Sequence, residues 1–332
     1  MQLRRDPLTQ NWVIQEDEET WWPDLGKCLF CPGQEALSPP NIYLYSNPNG
    51  DWQVRVTPHP RPLYRIEGQA QRRGEGLYDK MRSLGAHEIV VEHPDHNLPL
   101  SLQSEDNIAQ VLRAYVARIV DLKKDRRFRY VSVFRNQGKL AGQDLEHPHS
   151  QITATPFFPR RVIYELRSTR SYYEEKERCL LCDIIEQELS QQVRTVDWDD
   201  QFVAICPFAS RVPYEVWLLP INHHCAFEED LTSSERQRRF ARFLKSMLCR
   251  VRSLVPDYHL VLHTSPNVNA KFERKDHWHT LAKDWHWHFE ILPARASNGK
   301  SYGMKEVYYN SLLPEQAAEQ LRKASVTQPT LG

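Results

Sequence analysis

The sequence has no apolar run long enough to span a bilayer, which argues against membrane-spanning helices. It has no excess of charge either, with Lys+Arg and Asp+Glu equal at 43 each. A balanced chain gives no electrostatic case for nucleic acid or an anionic membrane as partner. The opening segment MQLRRDPLTQNW lacks the apolar core of a secretory signal, and no segment is of low complexity. Cysteine is scarce, at seven residues, four of them in two Cys-x-x-Cys pairs. That usage speaks for metal ligation in a reducing compartment, and so for a cytoplasmic protein, rather than for a disulfide framework. Cys206, Cys225 and Cys249 lie outside the pairs and read as small, partly buried side chains. What remains is a globular chain of 332 residues, enough for two domains of ordinary size.

One pattern occurs twice. The first half carries Cys28-x-x-Cys31, then Pro94-Asp95-His96, then His147-x-His149. The second carries Cys179-x-x-Cys182, then His223-His224, then His286-x-His288. Two thiols and two histidines per half is a zinc-site inventory. The long repeat indicates a duplicated module rather than a solenoid.

The elements repeat in the same order. Ile108, Val111, Leu112, Tyr115, Val116, Ile119 and Val120 share a helical face behind Ser104 as N-cap. Phe240, Phe243, Leu244, Met247, Leu248 and Val251 form the matching face behind a capping box at Thr232–Glu235. Each helix leads to a strand, at Tyr130–Phe134 and Tyr258–Leu262, and then to a histidine strand, from Ile152 onward and at His286–Leu292. This order predicts an α+β fold on antiparallel sheets flanked by helices. The charged segment 160–178 reads as a helix joining two modules, 1–165 and 166–332. Residues 267–284 read as loop, with His277 and His279 on its surface, and Pro314–Arg322 as a short helix.

The stretch His147-Pro148-His149-Ser150-Gln151 carries the chemistry. In an extended chain His147, His149 and Gln151 point the same way. A metal on His147 fixes the strand and leaves His149 free as a nucleophile. An imidazole attacking phosphorus splits one displacement into two. The Pro148 carbonyl or a neighbouring backbone group can hold the other ring nitrogen and set the tautomer. The Gln151 amide can donate to a phosphoryl oxygen as charge builds there.

These residues resemble galactose-1-phosphate uridylyltransferases, a branch of the histidine-triad superfamily. The resemblance begins at Arg4-Arg-Asp-Pro-Leu-Thr9 and takes in Cys28-Leu-Phe-Cys-Pro-Gly33, Asn49-Gly-Asp-Trp-Gln-Val-Arg55 and Gly85-Ala-His-Glu-Ile-Val-Val-Glu92. It continues through Phe134-Arg-Asn136, Leu262-His-Thr-Ser-Pro266 and Pro314–Ala318. It implies two fused histidine-triad-like modules, usually in a homodimer. It also implies transfer of a nucleoside monophosphate, UMP for this family, between a nucleoside diphosphate sugar and a sugar 1-phosphate. His149 is then the nucleophile and Gln151 the phosphate-contacting amide, with Asn136, Gly138, Arg61 and Ser150 as further substrate contacts. The first zinc falls on Cys28, Cys31, His96 and His147. The second metal, zinc or iron, falls on Cys179, Cys182, His223 and His286, the set preferred here because it completes a tetrahedral shell. The alternative set is Glu165, His263, His286 and His288.

Departures from the family pattern cluster where anions are handled. Glu19 and Trp22 stand where two arginines are common, His59 and Arg61 where an asparagine and a phenylalanine are, and Asp144 in place of a phosphate-contacting serine. Gly303 and Tyr309 change the sugar-reading loop. Arg61, Arg5 and Lys139 are candidates to replace the missing positive charge. Three readings follow: a nucleotidyltransferase; a nucleotide-sugar hydrolase or phosphorylase on the same scaffold; and a non-catalytic zinc-binding relative.

Overall fold

The computed structural model describes residues 1–16, 26–271, 278–295 and 307–324. Glu19, Trp22, His277 and Gly303 lie outside the described residues. Ten antiparallel strands form one sheet. From the first-half edge they run Tyr43–Ser46, Trp52–Pro58, Ala86–Val91, His149–Thr155 and Tyr130–Gln137. From the opposite edge they run Thr195–Trp198, Phe202–Ile205, Val216–Pro220, His288–Pro293 and Tyr258–His263. Read inward, both halves have the same order, with the fifth strand in sequence inserted before the fourth. This is the internal duplication in three dimensions. The halves meet where Tyr130–Gln137 pairs with Tyr258–His263, from Tyr258 opposite Gln137 to Leu262 opposite Val133.

Strand alternation gives the sheet two different faces. Ile152, Ala154, Val131 and Val133 face the main core with Leu218, Leu260 and Ile291. That face is covered by helices Glu105–Leu122 and Ser234–Leu254, the two that periodicity predicts, and one apolar cluster runs through both halves. Ser104 Oγ accepts the Asn107 N–H at 3.1 Å, the expected cap. In the second helix the cap is Ser233, whose Oγ accepts from Arg236 N at 3.2 Å, one residue beyond the expected Thr232.

The other face carries the histidines. Leu29 and Phe30 pack there on Ile89 and Val91, and Leu181 and Ile185 of helix Leu180–Gln191 on Val203, Ile205 and Leu219. The charged connection is helix Arg160–Lys176, as read, and Pro314–Lys323 is the C-terminal helix. A second antiparallel sheet, Trp12–Gln15, Gln2–Arg5, Tyr78–Arg82 and Arg73–Glu75, has no counterpart in the sequence reading. Among the described residues no helix is long and apolar enough to cross a membrane.

Candidate active site and metal centres

Four donors from distant parts of the first half converge. Cys28 Sγ lies 3.6 Å from His147 Nδ1, and Cys31 Sγ lies 3.4 Å from His96 Nδ1 and 3.7 Å from His147 Nδ1. The second half repeats the arrangement: Cys182 Sγ is 3.4 Å from His223 Nδ1 and 3.5 Å from His286 Nδ1, with Cys179 in the same cluster. A tetrahedral ion at about 2.3 Å from sulfur and about 2.0–2.1 Å from nitrogen sets S···N edges of about 3.5–3.6 Å. Both clusters have that spacing before any ion is considered.

The ring nitrogens facing away are held as ligands require. His147 Nε2 meets the His93 carbonyl at 2.8 Å, His286 Nε2 the Pro220 carbonyl at 2.9 Å, and His223 Nε2 the Ala282 carbonyl at 3.0 Å. Each carbonyl accepts the Nε2 proton, so each Nδ1 turns a lone pair toward the sulfurs. Burial, aided by His96 and Arg55, takes His147 down to about 4 against the pull of the His93 carbonyl, keeping it neutral. Burial and the adjacent Cys28 push Cys31 up to about 11. Two neighbouring thiolates need a cation, and these donors suit one. Arg55 braces the first loop, with Nη2 donating to the Leu29 carbonyl at 3.1 Å and Nη1 to Ser38 Oγ at 2.9 Å.

His147 lies just before the strand that begins at His149, so simple alternation does not govern its direction. Its ring joins the cysteines, while His149 and Gln151 share the strand's histidine face. His149 Nδ1 meets the His147 carbonyl at 2.8 Å, so the tautomer is set by His147 rather than Pro148. With Nδ1 protonated, Nε2 carries the ring's free lone pair. Gln151 Nε2 lies 3.5 Å from it. His87 determines which way that amide points. Its Nδ1 accepts the Leu63 N–H at 3.1 Å, so its Nε2–H donates to Gln151 Oε1 at 2.9 Å and leaves the Gln151 NH2 beside His149. Burial, reinforced by His59, takes His87 down to about 4 and keeps this ring neutral. His87 was not singled out from sequence as a site residue; its proximity to Gln151 comes from strand pairing.

The remaining expected contacts divide. Ser150 alternates to the helix side, where its hydroxyl bonds Glu92 and Tyr115, so its side chain does not face the site. Asn136 shares the histidine face, its Oδ1 2.9 Å from His259 Nδ1. Gly138 packs against Asp257, where its role is close approach. Arg61 is exposed, and its backbone N–H donates to His59 Nδ1 at 2.9 Å. Arg5 pairs with Asp79 at 3.4 Å. Lys139 and Tyr309 are exposed. A cavity of about 540 Å³ opens beside His87, lined by Ile42, Pro62, Tyr64 and Ile66. Its volume is in the range of small-molecule sites.

The second half contains a closed counterpart. His288 Nδ1 lies 3.3 Å from the His286 carbonyl, as His149 does from His147, and Glu290 takes the place of Gln151. His263 sits between carboxylates, with Nδ1 2.8 Å from Glu165 and Nε2 3.3 Å from Glu290. Burial would lower its pKa, but Glu165 and Glu290 outweigh that and raise it to about 10. Arg161 lies 2.5 Å from Glu165, and Arg211 lies 2.7 Å from Glu290. Glu165, His263, His288 and Glu290 are close enough to surround an ion. The two carboxylates already face Arg161, Arg211 and the His263 ring, which carries positive charge between them. The alternative set of Glu165, His263, His286 and His288 is not assembled, because His286 points its Nδ1 at Cys182.

The family profile described as "Galactose-1-phosphate uridyl transferase, N-terminal domain" matches residues 4–159. The galactose-1-phosphate uridylyltransferase of Thermotoga maritima is 30% identical, over 98% of this chain and 99% of its own length. The chain belongs to the galactose-1-phosphate uridylyltransferase family. An ADP-glucose phosphorylase of Arabidopsis thaliana is 28% identical, over 98% of this chain and 93% of its own length. A solved structure of an Arabidopsis thaliana ADP-glucose phosphorylase with bound ADP-glucose superposes with a TM-score of 0.78 at 29% identity, covering 98% of this chain and 99% of that one. Membership in the family therefore spans both halves and includes relatives named for two different activities.

Proposed function

We propose that this chain is a nucleotidyltransferase that moves a nucleoside monophosphate, UMP on the family reading, from a nucleoside diphosphate sugar to a sugar 1-phosphate through a covalent nucleotidyl-His149. The supporting observation is the His149 ring, whose Nδ1 is held by the His147 carbonyl and whose Nε2 lies beside the Gln151 amide. In the first step Nε2 attacks the α-phosphorus. A P–N bond forms, the P–O bond to the β-phosphate breaks, and the donor's sugar 1-phosphate leaves. In the second step a phosphate oxygen of the acceptor attacks the same phosphorus, the P–N bond breaks, and His149 is restored. Gln151 stabilises charge on the phosphoryl oxygens in both steps, and His87 keeps its amide correctly turned. Asn136 belongs to the substrate-binding surface in this reading.

Zinc on Cys28, Cys31, His96 and His147, and again on Cys179, Cys182, His223 and His286, would neutralise the paired thiolates and clamp the loops to the sheet. The reading also takes the chain as a cytoplasmic homodimer of two modules divided near residue 165. The test is intact-protein mass spectrometry after incubation with UDP-glucose, UDP-galactose or ADP-glucose. The expected result is a gain of one nucleoside monophosphate, absent in His149→Ala. Full turnover by His149→Ala would end the reading.

A second reading is favoured by the ADP-glucose phosphorylase relative, which aligns over nearly the whole chain. The same intermediate is then resolved by inorganic phosphate. Products formed from the isolated adduct with phosphate alone, or with a sugar 1-phosphate alone, separate the two.

A further inference from the structure

We propose that Asp144 is a built-in stand-in for the phosphoryl group, its carboxylate lying where substrate oxygens bind and having to leave when substrate arrives. This inference rests on the reading of His149 as the nucleophile. Asp144 Oδ1 lies 3.4 Å from His149 Nε2 and accepts from Gln151 Nε2 at 3.3 Å. Its Oδ2 lies 3.7 Å from His59 Nε2. His59 Nδ1 accepts the Arg61 N–H, so Nε2 carries the ring proton. That nitrogen is buried and makes no hydrogen bond, so its proton is available to an acceptor oxygen. His59 stacks on His87 at 4.1 Å and 19°, and His87 in turn orients Gln151. The polar groups gathered around the nucleophile therefore converge on one acidic oxygen pair.

Burial pushes the Asp144 carboxyl up, but the neighbouring His149 and His59 rings outweigh this and hold it well below the usual carboxylate range. The group is an anion under working conditions. A phosphoryl group presents the same kind of acceptor oxygens, so it competes for the same donors. Two anions cannot share them at contact distance without strong repulsion. Asp144 is free to move aside: it lies in the irregular segment after Gly142, before the strand starts at His149, and its side chain is 37% exposed. The expected consequence is a site that is pre-organised for an anion yet binds its substrate less tightly than the donors alone would permit.

The test is calorimetric titration of the zinc-loaded full chain with UDP-glucose and with ADP-glucose, using Asp144→Asn, Asp144→Ser and Asp144→Glu. The neutral variants are expected to bind at least about tenfold more tightly, with KM falling in step; Asp144→Glu is expected to show no such gain. Unchanged or weaker binding in both neutral variants would overturn the proposal. So would a loss confined to kcat, which would make Asp144 a positioning residue for His149. Adduct formation, read in parallel by mass spectrometry, reports on His149 separately. No adduct in any variant defeats the nucleophile reading, whereas adducts in all with equal affinities defeat only the role of Asp144.

Discussion

At Gly138 one missing side chain lets the two halves come together. Its backbone sits at φ +83° and ψ +165°, a region almost reserved for glycine. A Cβ there would meet Asp257 Oδ1 at 2.2 Å, and Asp257 Oδ2 also accepts the Leu140 N–H at 2.8 Å. Gly138→Ala should therefore destabilise the fold by about 1–3 kcal/mol from backbone strain alone, with a further loss if Asp257 has to move. Urea unfolding of Gly138→Ala and of Gly138→Ala/Asp257→Ser checks this, because the second variant relieves the contact but not the strain. A wild-type melting curve for Gly138→Ala would refute it. Much at this scale was legible in the sequence: the donor pairs and His149 stand in local motifs that occur twice. His59 and His87 could not be assigned roles that way. His87 reaches Gln151 from a neighbouring strand, where Ile89 pairs with Gln151, and no local spacing encodes that register. Ser150 reads as a substrate contact because it lies within the motif, whereas alternation sends its side chain to the helix side.

At the scale of elements, the histidine strand is secured from below. Glu92, just after strand Ala86–Val91, and Arg135, on strand Tyr130–Gln137, flank the strand that lies between them in the sheet. Arg135 Nε donates to both Glu92 oxygens at 3.0 Å, Ser150 Oγ donates to Glu92 Oε1, and Arg135 Nη1 donates to Gln137 Oε1 at 2.6 Å. Glu92 is fully buried and Arg135 is 2% exposed. Removing one partner of such a pair leaves a buried charge uncompensated, at a cost of about 3–5 kcal/mol. Glu92→Gln should lose stability of that order, while Glu92→Gln/Arg135→Met should recover much of it. Denaturant titration of the four proteins of the cycle measures this, and a double variant no better than Glu92→Gln would contradict it. The helices above were legible from their 3.6-residue periods, and the strands from alternation and aromatic or β-branched content. The four-stranded N-terminal sheet was not: Gln2–Arg5 and Arg73–Glu75 are short, polar and charged, without an apolar period to mark them.

For the whole molecule, the duplication was legible as two modules, but the joining of their sheets into one was not. The seam depends on residues 130–137 and 258–263 presenting compatible edges, and sequence periodicity does not reveal which edges meet. The joined sheet has an energetic consequence. A single apolar cluster extends from Val54 through Ile152 and Leu260 to Leu321, and helices Glu105–Leu122 and Ser234–Leu254 pack against one another across it. Neither half can lose its packing without exposing the other. Each Cys2His2 cluster, by contrast, belongs to one half. An ion that binds only the folded state stabilises by about 4 kcal/mol when free at a thousand times its dissociation constant. At roughly 2 °C per kcal/mol for a chain of this size, stripping one site should lower Tm by about 8 °C. Because the core is shared, Cys28→Ser, which damages only the first cluster, should shift one cooperative transition for the entire chain. Calorimetry of the zinc-loaded wild type and Cys28→Ser, with metal content measured on the same samples, tests this. The variant should retain one metal equivalent and melt once, at a lower temperature. Two separated transitions, the later one at the wild-type Tm, would mean that the halves fold independently and that the seam couples them only weakly.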